Sequence, residues 1–176
     1  DCPMGRYGDT SGLNSLAKCK PCPKGSYLNK KGSDSVKSCI DCPLGRRGAT
    51  FGLALSTDCS ACGIGKFTDN VGTYSECLQC DAGRYNDVNV LDAMICKPCG
   101  AGKYTDYRGS KSLADCKPCV LGRYSNQPAN PVLGTETQFN GNVQGSCSVC
   151  DSGKVTRQVG TSDYSGCEQC AEGRYN

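Results

Sequence analysis

Apolar residues in this chain are few, and they occur in short runs separated by glycine and polar residues. One of the longest is the stretch 51–55, Phe-Gly-Leu-Ala-Leu. The chain has neither the sustained 3.6-residue apolar stripe of an amphipathic helix nor the long period-two alternation of a half-buried strand. The pattern therefore predicts almost no helix and only very short β-strands. No run approaches the roughly 20 apolar residues of a membrane-spanning helix, so we expect no membrane contact within this segment.

Cysteine supplies the periodicity that the apolar residues lack. Eight Cys-x-x-Cys pairs start 20, 20, 18, 19, 20, 31 and 20 residues apart. A unit of about 20 residues therefore repeats, with one insertion in the seventh unit. The pairs are Cys19/Cys22, Cys39/Cys42, Cys59/Cys62, Cys77/Cys80, Cys96/Cys99, Cys116/Cys119, Cys147/Cys150 and Cys167/Cys170. Cys2 is left over, in phase with the second cysteine of a pair.

A second signature, Gly-x-aromatic, begins three residues after the second cysteine of a pair. Asp or Asn follows the aromatic residue by two positions, and Gly usually comes three positions later. Asx and Gly are turn formers, so each repeat is predicted to be a short extended piece, a turn and a return to the next cysteine. We expect the aromatic rings to pack against a disulfide or the adjoining repeat. They are Tyr7, Tyr27, Phe67, Tyr85, Tyr104, Tyr124 and Tyr175, with Arg47 and Val155 at the same position in two other repeats.

Composition shows why the cysteines matter. The chain has 17 Cys in 176 residues, no Trp, and only 27 residues of Leu, Ile, Val and Phe. Such a chain buries too little apolar surface to offset its ordering entropy, so cross-links must hold it together. The sequence therefore predicts a small disulfide-rich fold, an elongated tandem array, on the secretory route to the cell surface or extracellular space.

The cysteine spacing also fits zinc sites made of four thiolates. A zinc array should alternate within-site and between-site spacings, and these spacings do not alternate, so we favour disulfides. The simplest rule joins the second cysteine of one pair to the first of the next, although a rule that interlaces alternate pairs also fits. Sequential pairing uses Cys2, Cys19, Cys22, Cys39, Cys42, Cys59, Cys62, Cys77, Cys80, Cys96, Cys99, Cys116, Cys119, Cys147, Cys150 and Cys167, and leaves Cys170 unpaired.

The pattern Cys-Pro-x-Gly-x-Tyr, a turn, then Cys-x-x-Cys-Pro-x-Gly, resembles the ephrin-receptor-like and tumour-necrosis-factor-receptor-like cysteine-rich repeats. It stands here as residues 22–27, Cys-Pro-Lys-Gly-Ser-Tyr, and residues 42–45, Cys-Pro-Leu-Gly. The resemblance covers essentially the whole chain and implies an elongated extracellular array in which a disulfide and a packed Tyr mark each step. The recurring Gly-Arg-Tyr is most similar to the repeats of algal and protist surface proteins.

We interpret residues 1–176 as one continuous repeat array and as a fragment of a longer chain. Each repeat is expected to contact only its sequence neighbours. The expected repeats are 2–21, 22–41, 42–61, 62–79, 80–98, 99–118, 119–149, 150–169 and a partial one at 170–176. An insertion near 127–142, in the seventh repeat, is either a partner-docking surface or a tolerated loop.

The net charge of +3 is interpreted as spread along the chain without a basic block, which argues against nucleic acid as a partner. A basic residue recurs between Gly and the aromatic position and would form a cationic row, a candidate for binding acidic glycans. Solvated charge, or stacking on a neighbouring Tyr, is the plainer interpretation. The row is Arg6, Arg46, Lys66, Arg84, Lys103, Arg123, Lys154 and Arg174.

Nothing in the sequence indicates catalysis. The chain has no His and no Gly-x-Ser-x-Gly motif, and uniform repetition leaves no unique polar cluster. We predict no catalytic, cofactor-binding or metal-binding residues, and the recurring Asp positions are interpreted as turn residues rather than calcium ligands. There is no Asn-x-Ser/Thr sequon, whereas O-glycosylation of Ser and Thr stays open.

The leading functional hypothesis is an extracellular structural rod, stalk or fibril-forming segment, with neighbouring repeats and copies of itself in a filament as partners. The alternative is the ligand-binding ectodomain of a cell-surface receptor or adhesin. A third class, a secreted zinc or redox-active thiol protein, would show free thiols on titration.

Sequential pairing predicts the products of digestion without reductant. Mass spectrometry should find Cys22 linked to Cys39 and Cys99 linked to Cys116, because one rule should serve every repeat. A peptide joining Cys19 to Cys39 would instead establish interlaced bridges.

Overall fold

The computed structural model describes residues 1–10, 15–88, 96–126, 147–172 and 174. They form two compact units, the first built mainly from Asp1–Leu78 and the second from Gln79–Asp87 and Cys96–Asn176. Regular structure in the described residues consists of β-strands of two or three residues and 3-10 turns of three. The predictions of almost no helix and only very short strands are confirmed.

The strands are Arg6–Tyr7, Lys20–Pro21, Ser26–Tyr27, Ile40–Asp41, Arg46–Arg47, Ser60–Ala61, Lys66–Phe67, Leu78–Gln79, Arg84–Tyr85, Lys97–Pro98, Lys103–Tyr104, Lys117–Pro118, Arg123–Tyr124, Ser148–Val149, Lys154–Thr156 and Cys167–Gln169. The 3-10 turns are Leu16–Lys18, Val36–Ser38, Ser56–Asp58, Leu113–Asp115 and Tyr164–Gly166. Together the strands make two-stranded sheets, each an isolated ribbon.

Each ribbon joins the Gly-x-aromatic segment of a repeat to the residues between the next two cysteines. The register is the same from repeat to repeat: Arg6 lies opposite Pro21, Ser26 opposite Asp41, and Arg46 opposite Ala61. A two-stranded ribbon of this length is not stable in water by itself. Something other than the ladder must therefore hold the two strands together.

A disulfide closes each ribbon at its end. The structure joins the second cysteine of each pair to the first of the next, with Cα–Cα distances of 5.5–5.9 Å. The bridges are Cys2–Cys19, Cys22–Cys39, Cys42–Cys59, Cys62–Cys77, Cys80–Cys96, Cys99–Cys116, Cys119–Cys147 and Cys150–Cys167. A closed loop of this size contributes about 3 kcal/mol in the chain-entropy model.

In five repeats of the described chain, the return segment to the first cysteine of a pair ends in a 3-10 turn capped by a polar side chain. The Ser15 hydroxyl accepts from the Ala17 amide at 3.3 Å, and Asp115 Oδ2 accepts from the Ser112 amide at 3.0 Å. These bonds satisfy amides that a single turn leaves without partners. The turn delivers the cysteine that follows it to its disulfide partner.

The interior consists mainly of cystines and, in five repeats, of the side chain directly after the aromatic position. Cys22, Cys42 and Cys59 are fully buried, and the bridged cysteines apart from Cys39 all belong to the core. The residues after the aromatic position are equally inaccessible: Leu28, Thr68, Asn86, Thr105 and Thr156 are 0–2% exposed. Most of these side chains are polar, so the interior depends on hydrogen bonds as well as on apolar contact.

Two repeats differ in how they satisfy one buried hydroxyl. The Ser110 hydroxyl lies 2.9 Å from Thr105 Oγ1, five residues earlier, and Thr105 also donates to the Tyr107 carbonyl at 3.0 Å. At the equivalent positions of the earlier repeat stand Ser33 and Leu28. Because Leu28 offers no polar atom, Ser33 Oγ is buried without a hydrogen-bond partner.

This difference predicts opposite effects of one substitution. Ser110→Ala removes a made hydrogen bond and should lower the free energy of unfolding by about 1 kcal/mol. Ser33→Ala removes an unsatisfied hydroxyl and should leave stability unchanged or raise it. Thermal unfolding without reductant measures both. An equal loss from the two variants would show that Ser33 has a partner in solution.

Candidate functional site

The joint between consecutive repeats is the feature that recurs most regularly in the structure. Two positions define it: the signature glycine, which begins Gly-x-aromatic, and the turn glycine, which follows the Asx turn. At the first joint three backbone hydrogen bonds connect one repeat to the next. They are Gly5 N–H to Leu28 O (2.8 Å), Gly8 N–H to Ser33 O (2.9 Å) and Gly32 N–H to Cys2 O (2.8 Å).

The same set recurs further along the chain in both compact units. The turn-glycine amide, for example, donates to the cysteine carbonyl of the preceding repeat at 2.7–2.9 Å each time. These bonds are Gly52 to Cys22, Gly72 to Cys42, Gly109 to Cys80 and Gly160 to Cys119. The joint is therefore a standard connection made of backbone atoms, and it needs few specific side chains.

In two joints a threonine hydroxyl replaces the backbone acceptor. The Gly45 amide donates to Thr68 Oγ1 at 2.7 Å, and the Gly122 amide donates to Thr156 Oγ1 at 2.8 Å. Thr68 and Thr156 follow the aromatic position, which sequence reasoning did not single out. The sequence did contain a signal for this buried position: the residue directly after the aromatic one is often small or carries a hydroxyl group.

In three places glycine contacts also connect a repeat to the next but one, so the expectation that repeats contact only their sequence neighbours is wrong. A Cβ added at Gly5 would lie 2.2 Å from the Gly52 carbonyl oxygen. The corresponding distance is 2.0 Å from Gly25 to Gly72. In the second unit it is 2.1 Å from Gly102 to Gly160. The signature glycine is thus required by close backbone approach as well as by its positive φ, which is 83° at Gly25.

The arginines of Gly-Arg-Tyr are structural donors. Arg84 Nη1 donates to the Cys96 carbonyl at 2.8 Å, so the guanidinium bridges the two strands beside the Cys80–Cys96 disulfide. Burial lowers the pKa of Arg84, whose surface is only 8% exposed. Arg6, Arg46 and Arg123 make the same bond, to Cys19, Cys59 and Cys147, at 2.7–3.0 Å.

Four arginines of the cationic row are therefore held by backbone carbonyls rather than only solvated. The binding of acidic glycans by the row stays a prediction. At the same position in another repeat, Lys154 Nζ donates to the Tyr164 hydroxyl at 2.7 Å, which raises the pKa of Lys154.

The recurring Asp positions form cross-strand ion pairs. Asp9 lies 2.5 Å from Lys20, and Asp87 lies 2.7 Å from Lys97. In each pair the hydrogen bond from the lysine lowers the pKa of the carboxyl group. Among the described residues, no three His, Cys, Asp or Glu side chains are grouped so that they could hold a metal ion.

The aromatic residues are less buried than a repeat core would require. Tyr85 is 9% exposed and packs with Cys99 and Cys116, whereas Tyr7, Tyr27, Phe67, Tyr104 and Tyr124 are only half-buried. Their backbones make the joint: Tyr7 bridges Ser33, Tyr27 bridges Leu53, and Tyr85 bridges Ser110. Tyr124 also packs edge-to-face on Tyr164, with ring centroids 5.6 Å apart.

Three further sequence-based predictions concern Cys170, Tyr175 and the insertion near 127–142. Cys170 is free and half-buried in this chain. The predicted ring of Tyr175 and the insertion at 127–142 lie outside the described residues.

The chain is a series of two-stranded ribbons, each closed by a disulfide and connected to the next by a glycine-rich joint. This architecture defines the class of protein, a tandem array of small extracellular disulfide-rich modules. A family model described as tyrosine-protein kinase ephrin type A/B receptor-like matches residues 8–52 and 72–116, slightly more than half of the chain. The chain therefore belongs to the ephrin-receptor-like cysteine-rich repeat family. No curated protein matches it.

The family consists of non-catalytic extracellular modules, which indicates that the chain is part of an extracellular or secreted protein. In the described segments no helix has the length and hydrophobicity to cross a bilayer. The resemblance of Gly-Arg-Tyr to algal and protist repeats stays a prediction.

The close contact at the signature glycine predicts that Gly→Ala substitutions at different positions destabilise the protein to different degrees. Gly25→Ala combines a positive φ with a 2.0 Å approach to a carbonyl oxygen, so it should lower the free energy of unfolding by well over the 1–2 kcal/mol of the left-handed conformation alone. Gly100→Ala has a φ of 81° and no atom within 4 Å, so it should incur only the conformational cost.

Gly63→Ala is the control. It has neither a positive φ nor an atom within 4 Å, and it should be neutral or stabilising. Guanidinium unfolding under non-reducing conditions ranks the three variants. Equal stability of the Gly25 and Gly100 variants would contradict the contact between alternate repeats.

Proposed function

We propose that the chain is a structural segment of an extracellular protein, a rod, stalk or fibril-forming stretch that spans distance and resists proteolysis. The observation that carries this proposal is the recurring joint, in which the same backbone hydrogen bonds connect repeat after repeat. Because this connection needs no specific side chain at most positions, a repeat can be added to the array without changes in the repeats already there.

The distribution of stability supports the same role. Each repeat closes its own ribbon with its own disulfide, so the loss of one repeat leaves the covalent closure of the others intact. Several charged residues of the repeat motif are used internally: arginines bind cysteine carbonyls, and two aspartates pair with lysines. Charged residues that are engaged within the array in this way are expected in a structural segment.

A receptor or adhesin ectodomain is the second candidate, and exposed apolar residues favour it. Phe51 is 61%, Val71 55% and Val159 62% exposed, each directly before a turn glycine. Large exposed apolar side chains often mark sites of protein–protein contact. A ligand-dependent change in exchange protection at Phe51 and Val71 would favour this candidate over a spacer.

Small-angle X-ray scattering tests the spacer role. A compact domain of 176 residues would have a radius of gyration of roughly 16 Å. We expect a clearly larger value, because the contacts between repeats that the described residues make are with the next repeat or the next but one. A value near the compact figure would mean that the repeats fold back on one another and would remove the basis of the proposal.

A further inference from the structure

The positive charge of the chain is concentrated at one end, which corrects the interpretation that it is evenly spread. Residues 18–37 contain six of the 12 lysines and only one acidic residue, Asp34. The remaining 156 residues contain 14 basic and 16 acidic residues. The segment is therefore strongly cationic while the rest of the chain is slightly acidic.

Every lysine of this segment is exposed, and most are not engaged in ion pairs. The lysines are Lys18, Lys20, Lys24, Lys30, Lys31 and Lys37. Lys20 pairs with Asp9, and Lys24 lies 5.5 Å from the centre of the Phe51 ring. No ion pair among the described residues involves the other four. We call Lys18, Lys30, Lys31 and Lys37 the lysine cluster.

Two members of the cluster, Lys18 and Lys31, are next in sequence to residues that line one depression. A cavity of about 510 Å³ is lined by the 3-10 turn at Leu16, by Cys19 and by the turn segment Gly32–Asp34. Lys18 belongs to that 3-10 turn, and Lys31 directly precedes Gly32. The joint fixes this arrangement, because the Gly32 amide is bonded to the Cys2 carbonyl.

Asp1 and Asp34 also line this cavity, so their carboxylates disfavour a small anion inside it. No lysine of the cluster lines it; the four lysines are exposed, and their flexible side chains end in ammonium groups. That arrangement suits an extended polyanion that runs across the surface rather than a small anion held in a pocket.

We propose that the lysine cluster binds a sulfated polysaccharide. Extracellular modules meet sulfated chains, whereas nucleic acid and the anionic inner leaflet of the cell membrane lie in other compartments. Ammonium groups on flexible stems bind sulfate as point charges and need no fixed geometry. The proposal differs from a glycan-binding arginine row, because the arginines are fixed by cysteine carbonyls. It does not depend on the spacer role.

Heparin serves as the probe, and two triple variants with equal net charge separate the cluster from overall charge. Lys30→Gln, Lys31→Gln and Lys37→Gln remove three members of the cluster. Lys103→Gln, Lys111→Gln and Lys117→Gln are the matched control, since these lysines are also exposed but lie among Asp106 and Asp115. Elution from immobilised heparin in a salt gradient and titration with heparin in solution measure binding.

We expect the wild-type chain and the control variant to bind heparin, and the cluster variant to lose affinity on the order of tenfold and to show a shallower salt dependence. Circular dichroism and the count of free thiols establish that both variants keep the fold. Absence of heparin binding by the wild type, or equal losses in the two variants, would overturn the proposal. Binding to phosphatidylserine vesicles without binding to heparin would do so in favour of a lipid surface.

Discussion

The disulfide that closes each two-residue ribbon is the constraint on which the other contacts depend. Two backbone pairs cannot hold a ribbon in water, and the chain has too few apolar residues to pack it from outside. Once Cys22 is bonded to Cys39, Ser26–Tyr27 and Ile40–Asp41 are held at hydrogen-bonding distance and the joint atoms are fixed in place. The hydrogen bonds between repeats can then form at little further entropic cost.

The second constraint is the backbone approach at the signature glycine. Gly25 carries the ribbon turn, donates its amide to the Gly48 carbonyl at 2.8 Å and leaves no room for a Cβ next to Gly72. One residue thus serves the turn, the joint to the next repeat and the contact with the repeat after that. In the repeat that has Arg47 in place of the aromatic residue, the equivalent Gly45 keeps two of these uses: it has a φ of 75° and donates its amide to Thr68 Oγ1 in the next repeat.

Periodicity in the sequence predicted the fold class, a disulfide-rich tandem array with very short strands, because cysteine spacing and Asx-Gly turns report local closure. It left sequential and interlaced pairing of the cysteines open. It did not predict contacts between alternate repeats, since those depend on how successive joints rotate the chain. Nor did it predict that Arg84 would bind the Cys96 carbonyl, because a charged residue in a repeated motif looks the same whether it is solvated or bonded. The buried role of Thr68 was missed for a related reason: a hydroxyl between an aromatic residue and an Asp reads as part of a turn.

The length of the loop that a disulfide closes can vary without changing the joint between repeats. The bridged cysteines are 15 residues apart in Cys62–Cys77 and 28 apart in Cys119–Cys147, yet Gly45 and Gly122 use the same type of acceptor in the following repeat. The joint involves the cysteine, the signature glycine and the residues around the turn glycine, so the rest of the loop is free to vary. Loop-closure entropy grows only slowly with length, and a longer loop therefore adds surface at small energetic cost. The joint can in this way stay the same while individual repeats acquire distinct surfaces, as the first two repeats do with the lysine cluster.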